Sequence, residues 1–149
     1  PLFFFFLETG VITITNAEMT RFLITLQNGV DFVLESLKSM VGGELFVPKV
    51  PACSVADIAN VVAPDAEWRI VGMRPGEKMH EILIPEDESR NVLEFDNHFV
   101  IQPIQAFWGN KIGILGGVSC SENFKYSSNC NCETFGEEDL TKLLSDFLP

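Results

Sequence analysis

A chain of 149 residues fits one domain, at about 100 to 200 residues each, and its 46% hydrophobic content is ordinary for a packed globular core. Ten Lys plus Arg against 21 Asp plus Glu leave a formal charge of -11, which repels a polyanion and excludes a nucleic-acid partner; a phosphorylated small molecule stays open, because it needs only one or two arginines in a cleft. The longest apolar run, Pro1–Leu7, is far short of the roughly 18 residues of a membrane-spanning helix, and it lacks the charged leader and cleavage site of a signal peptide, so no membrane and a cytoplasmic location are expected.

Along the chain, Pro1 stands directly before a Phe cluster, which reads as a chain that starts inside a buried element, in other words a fragment of a longer protein. From Ile24 to Val41 the apolar residues Leu26, Val30, Val33, Leu34, Leu37 and Val41 fall at helical intervals, with Asp31, Glu35 and Lys38 between them, predicting an amphipathic helix that Gly42-Gly43 would close as a left-handed cap. Glu44–Val50 reads as a short strand with Pro48 and Pro51 at its exit.

Ser54, followed three residues later by Asp57, is close to a capping box, and Val55, Ile58, Ala59 and Val62 form one helical face up to Ala63-Pro64. Trp68–Met73 reads as a strand leading into the turn Arg74-Pro75-Gly76-Glu77. Met79–Ile84 fits a short helix or strand, Glu86–Arg90 an acidic turn or helix, and Val92–Ile101 an extended run broken at Asp96-Asn97. Gln102–Cys132 is rich in Gly, Ser and Asn and is expected to be a long surface excursion. Glu137–Leu148 predicts a last amphipathic helix burying Leu140, Leu143, Leu144 and Phe147. Helices alternating with about three or four strands predict an α/β lobe, a small sheet with flanking helices.

Two arginines stand out chemically. Arg21 is flanked by apolar residues, where a cation is costly without an anionic partner. Arg74 sits at a strand exit, where ligands are usually met. Together they could clamp a diphosphate through bidentate guanidinium contacts, and Glu77 could accept hydrogen bonds from vicinal hydroxyls such as those of a ribose. The alternative is that each arginine pairs with one of the 21 acids and has no ligand.

Other motifs point to less. His80-Glu81 lacks the second histidine of a zinc-protease helix. His98 fits an exposed strand residue better than a catalytic base. No G-x-S-x-G, P-loop or G-x-G-x-x-G occurs. Cys53, Cys120, Cys130 and Cys132 match no paired zinc or disulfide spacing, which reads as reduced thiols, with a metal site at Cys120, Cys130 and Cys132 as the alternative. No metal is expected.

Four segments nevertheless form a recognisable series: Ile14-Thr15-Asn16-Ala17-Glu18-Met19-Thr20-Arg21-Phe22, Gly42-Gly43-Glu44-Leu45-Phe46-Val47-Pro48-Lys49, Gly72-Met73-Arg74-Pro75-Gly76-Glu77-Lys78-Met79-His80-Glu81, and Phe124-Lys125-Tyr126-Ser127-Ser128. In that order and spacing they resemble the inverting UDP-N-acetylglucosamine 4,6-dehydratases, extended short-chain dehydrogenase/reductase enzymes. The resemblance implies a parent enzyme, a lyase, whose N-terminal Rossmann half binds NADP and carries the catalytic Tyr, Lys and Asp. In that family oxidation at C4 acidifies the C5 proton, water leaves from C6, and hydride returns to C6, giving a 4-keto-6-deoxy sugar nucleotide for glycan or flagellin glycosylation.

For this chain the resemblance implies a substrate-binding lobe over 1–102, with a remnant of a Rossmann-side helix at 1–10, and over 103–149 the C-terminal excursion and terminal helix of the same lobe. It would hold the UDP-sugar, with Arg21 and Arg74 on the diphosphate, Glu77 on the ribose, and Thr15 and Met19 lining the nucleotide pocket. No catalytic or cofactor-binding residue falls within it, so the chain alone is expected to be inactive and free of NADP, and the parent to be a homo-oligomer. Asn16 departs from the Asp of the family pattern, and Cys130, Cys132 and Phe135 stand where Asn and Trp are usual. The rival readings are a UDP-sugar 4-epimerase of the same superfamily and a non-catalytic interaction module.

Overall fold

The structure, a computed structural model, describes residues 10–105, 116–130 and 132–145. The chain divides into two compact units: Pro1–Leu23 with Pro51–Glu81 and Glu133–Pro149, and Ile24–Val50 with Ile82–Cys132. The second unit takes residues from both sides of position 102.

In the first unit, β1 (Val11–Ile14) runs parallel to β5 (Glu67–Ile70), in register from Val11 opposite Glu67 to Ile14 opposite Ile70. A parallel pair needs a crossover, and here it contains β2 (Thr20–Phe22), β4 (Ala52–Ser54) and α2 (Val55–Val62). β2 and β4 pair antiparallel with Arg21 opposite Cys53. The Ser54 side chain then accepts the Asp57 N–H while the Asp57 carboxylate accepts the Ser54 N–H, the reciprocal bonding that satisfies a helix start. α2 packs against β1 and against α3 (Glu137–Leu144). The core of this unit gathers Ile14, Met19, Ala52, Cys53, Ala59, Ala63 and Leu140, of which the helical periodicity marks Ala59 and Leu140.

The second unit opens with α1 (Leu26–Ser39), whose first turn is capped by the Thr25 hydroxyl accepting the Asn28 N–H. An antiparallel sheet follows in the order β3 (Leu45–Pro48), β8 (His98–Ile101), β7 (Val92–Glu94), β9 (Val118–Ser119). Pro48 is tolerated because β3 is an edge strand, where a missing N–H costs least. β6 (Ile82–Ile84) pairs antiparallel with β10 (Tyr126–Ser127), and a 3-10 turn, Glu86–Asn91, leads into β7. Val47, Ile84, Val92, Phe99, Val100 and Tyr126 form the core, with the Phe99 ring 5.1 Å from Phe124 and 4.9 Å from Tyr126.

The expected α/β class, with small sheets and flanking helices, is what the chain adopts. Several local expectations are corrected. The described residues contain ten strands instead of about four, because strands of two to four residues are too short to leave a periodicity. α1 ends on an extended Met40, and the Gly42-Gly43 pair forms a separate turn closed by Glu44, whose carboxylate accepts the N–H groups of Val41 and Gly42. Positive φ angles of 141° and 87° require glycine there, and a Cβ on Gly43 would stand 3.3 Å from Pro103.

The stretch expected to be a surface excursion buries Tyr126, Ser127 and Ser128. The Tyr126 hydroxyl accepts the Val50 N–H at 2.8 Å and donates to the Val50 carbonyl at 2.9 Å. The expected remnant helix at 1–10 lies outside the described residues except for Gly10, and Phe147 lies outside them too. No helix among the described residues is long and apolar enough to cross a membrane.

Candidate functional site

The five candidate residues all belong to the first unit. Because β1 and β5 are parallel, both strands reach their carboxyl ends on the same edge, the place where open α/β sheets usually meet their ligands. Thr15 is the first residue after β1, and the Val71 N–H prolongs the pairing by donating to the Ile14 carbonyl at 2.9 Å. Arg74 follows three residues later on a tight turn. The Glu77 N–H donates to the Arg74 carbonyl at 3.1 Å, Pro75 sets the first corner, and Gly76 takes φ 86° at the second, the pattern of a type II turn. Glu77 returns the contact, its Oε2 accepting the Arg74 N–H at 2.8 Å. The backbone at Arg74 is therefore held from both sides while its side chain stays exposed. Among the described residues the Arg74 guanidinium has no ion pair and no hydrogen bond.

Arg21 is placed differently. From β2 its Nη1 donates to the Thr20 carbonyl at 2.7 Å and the Met79 carbonyl at 3.3 Å, and its Nε lies 3.6 Å from the Glu81 carboxylate. The alternative weighed for the arginines, pairing with an acid, is what Arg21 does. Met19 is buried at 2% exposure, its sulfur 4.0 Å from Arg21 Nη2, so it lies beneath the arginine and not on an open surface.

The segment after the Arg74 turn is stitched to β2. The Thr20 N–H donates to the Met79 carbonyl at 3.0 Å, and Thr20 Oγ1 meets His80 Nδ1 at 2.7 Å. Met79 is five residues from Arg74, a reach of at most about 18 Å of extended chain, so this stitching confines the turn to the neighbourhood of Arg21. His80 and Glu81, an incomplete zinc-protease motif in the sequence, contact Thr20 and Arg21 here. Their signal was their position at the end of the Gly72–Glu81 motif, where they anchor the turn. Asn16 fills a similar local role: its Oδ1 accepts the Glu18 N–H at 2.8 Å, a bond the expected Asp would accept as well.

Opposite Arg21, the Cys53 thiol is buried and its pKa is pushed up to about 11 by burial, with the Asp57 carboxylate adding to the effect. It is a packing residue, since the thiolate is the reactive form. Burial likewise raises Cys120 and Cys132 above the usual thiol value. Among the described residues no group of three or more His, Cys, Asp or Glu is positioned to hold a metal ion. What the edge offers is one uncommitted guanidinium, a second one held a short stretch of chain away, and the half-buried Thr15 between strand and turn. That set suits a small anion.

Comparison with known proteins gives the arrangement a context. Residues 1–103 match the family described as polysaccharide biosynthesis protein. The chain is 39% identical over 138 residues to the UDP-N-acetylglucosamine 4,6-dehydratase (inverting) of Campylobacter jejuni, a match spanning 89% of this chain and 41% of that protein. It is 34% identical over 106 residues to the UDP-glucose 4-epimerase of Rickettsia conorii, spanning 68% of this chain and 31% of that protein. Among solved structures, Pen from Bacillus thuringiensis superposes with a TM-score of 0.76 at 26% identity, covering 99% of this chain and 44% of that one. The chain thus spans about two fifths of the length of the curated dehydratase it matches.

Proposed function

We propose, since this chain belongs to the polysaccharide biosynthesis protein family, that it is the sugar-nucleotide-binding part of a longer UDP-N-acetylglucosamine 4,6-dehydratase. The observation that carries the reading is the Arg74 guanidinium, exposed and uncommitted among the described residues, at the carboxyl edge of the parallel β1–β5 pair. A diphosphate there would take the bidentate contacts that a planar guanidinium supplies, and the Glu77-buttressed turn fixes the backbone from which that side chain extends. Arg21 contributes to the same anion at longer range, its side chain already committed to the Thr20 and Met79 carbonyls. Thr15 and Glu77 supply hydroxyl and carboxylate acceptors for the ribose, and Met19 supports Arg21 from below.

The residues of this chain do not supply a dinucleotide cradle: no G-x-G-x-x-G run occurs in it. In this reading NADP and the redox and proton-transfer groups belong to the portion that the dehydratase carries outside the match, and this chain contributes positioning of the sugar nucleotide alone. The relative's name and its 39% identity support the dehydratase over other nucleotide-sugar chemistries.

A second reading has a specific observation behind it, the 34% identity to a UDP-glucose 4-epimerase. Calorimetric titration separates the two. UDP is expected to bind this chain, Arg74→Ala to weaken it about ten-fold, and UDP-N-acetylglucosamine to be preferred over UDP-glucose. The reverse preference would favour the epimerase, and equal UDP affinity in the variant would remove Arg74 from the site.

A further inference from the structure

The turn that carries Arg74 is closed on itself and tied down close by on one side. The Glu77 N–H donates to the Arg74 carbonyl and the Glu77 carboxylate accepts the Arg74 N–H, so residues 74–77 move as one piece. Upstream, the nearest anchored residue is Val71, bonded to the Ile14 carbonyl. Between it and the turn stand Gly72 and Met73, both exposed and without a hydrogen bond among the described residues. Downstream, Lys78 alone separates the turn from Met79 and His80. There the Met79 carbonyl accepts the Thr20 N–H at 3.0 Å and Arg21 Nη1 at 3.3 Å, and His80 Nδ1 is hydrogen-bonded to Thr20 Oγ1 at 2.7 Å.

We propose that His80 is a positioning residue of the nucleotide site. Its bond to Thr20 fixes, across the single residue Lys78, the backbone from which Arg74 reaches, and so sets the affinity for a diphosphate through Arg74. The inference rests on the sugar-nucleotide reading above and adds what makes the two arginines one site. Thr20 is the neighbour of Arg21 on β2, so the strand that His80 grips is the one that carries the second arginine. The bonds inside the turn pass any displacement of residue 78 on to Arg74 undiminished. An arginine whose backbone is fixed searches a smaller volume for its anion than one on a loose loop, and that difference appears as affinity. Every residue involved belongs to the same compact unit.

Calorimetric titration of UDP into four chains tests the assignment: the unaltered chain, His80→Ala, Arg74→Ala and the double variant. His80→Ala is expected to weaken UDP about five-fold while Arg74 is present and less than about two-fold once Arg74 is gone. His80→Asn, whose side-chain amide can take the place of Nδ1, should return the affinity to within about two-fold of the unaltered chain. Thr20→Val, which keeps the branched shape and removes the hydroxyl, should reproduce the loss. The same loss in both backgrounds would make His80 a purely structural residue and overturn the proposal. Full affinity in His80→Ala or in Thr20→Val would overturn it as well. If far-UV circular dichroism shows that His80→Ala does not fold, Thr20→Val takes its place in the cycle and decides in the same way. Absence of UDP binding, or affinity indifferent to Arg74, removes the nucleotide site and this proposal with it. Affinity that depends on Arg74 but not on His80 removes the positioning role alone.

Discussion

Arg21 and Glu81 face each other at 3.6 Å, and the arginine spends its Nη1 on the carbonyls of Thr20 and Met79. This ties β2 to the segment that follows the Arg74 turn, so the two arginines that look alike in the sequence have different duties. Arg21 is held by these contacts, and the Arg74 guanidinium has neither an ion pair nor a hydrogen bond among the described residues.

That difference is measurable. Arg21→Ala should destabilise the chain by about 1–3 kcal/mol, because it strips charged donors from two carbonyls, while Arg74→Ala should leave urea unfolding unchanged within about 0.5 kcal/mol, as for an exposed side chain without contacts. A loss of stability in Arg74→Ala, or none in Arg21→Ala, would reverse the assignment.

Tyr126→Phe should cost about 1–3 kcal/mol, because it leaves both the N–H and the carbonyl of Val50 without the hydroxyl that now serves them in a buried setting. Urea titration followed by far-UV circular dichroism would register it. A neutral result would mean that water replaces the hydroxyl.

Two of the four thiols should react in a definite order. Cys53 is buried with a pKa near 11, so at pH 8 only about one molecule in a thousand carries the thiolate, whereas Cys130 is exposed. Brief iodoacetamide treatment followed by peptide mapping should find Cys130 modified and Cys53 intact. Early modification of Cys53 would contradict its burial. Because the folded state holds this proton more tightly than the usual thiol value of 9.0, stability should also fall as the pH rises from about 9 towards 11.

His98 predicts an acid-side effect. Its ring stacks on Phe95 at 4.8 Å and on Phe46 at 5.8 Å and meets Phe32 edge-on at 6.2 Å. Burial lowers its pKa below 6.5, against Glu35, which raises it, and with Lys49, which lowers it further. The folded state binds this proton less readily than the unfolded one, so stability is complete above pH 6.5 and declines as the pH falls below it. Thermal melts from pH 7.5 to 5 should follow that course, with a flatter profile in His98→Phe. An identical pH profile in the variant would clear His98 of the effect.

What could be read without the fold was local. The periodicity of Leu26, Val30, Val33 and Leu37 marks α1, the Ser54 and Asp57 pair marks the start of α2, and Arg74-Pro75-Gly76-Glu77 marks its turn. Each is settled by interactions between residues three or four apart, which the order of side chains displays directly. The ordered motifs from Ile14 to Ser128 also carried the family resemblance, and the match over residues 1–103 agrees with it. The strands were less legible, since segments of two to four residues owe their state to a partner elsewhere in the chain.

By itself, then, the sequence determined the helices, the capped start of α2, the Pro-Gly turn, the acidic composition and the family. The tertiary structure decided which partners those residues meet: Thr20 with His80 across 60 positions and Val50 with Tyr126 across 76, Arg21 committed to carbonyls, Arg74 left open, and an apolar helix face left uncovered within its unit. The physical reason is that such choices depend on which distant segments are brought within hydrogen-bond reach. Only the closing of long loops sets that proximity, and no local pattern encodes it.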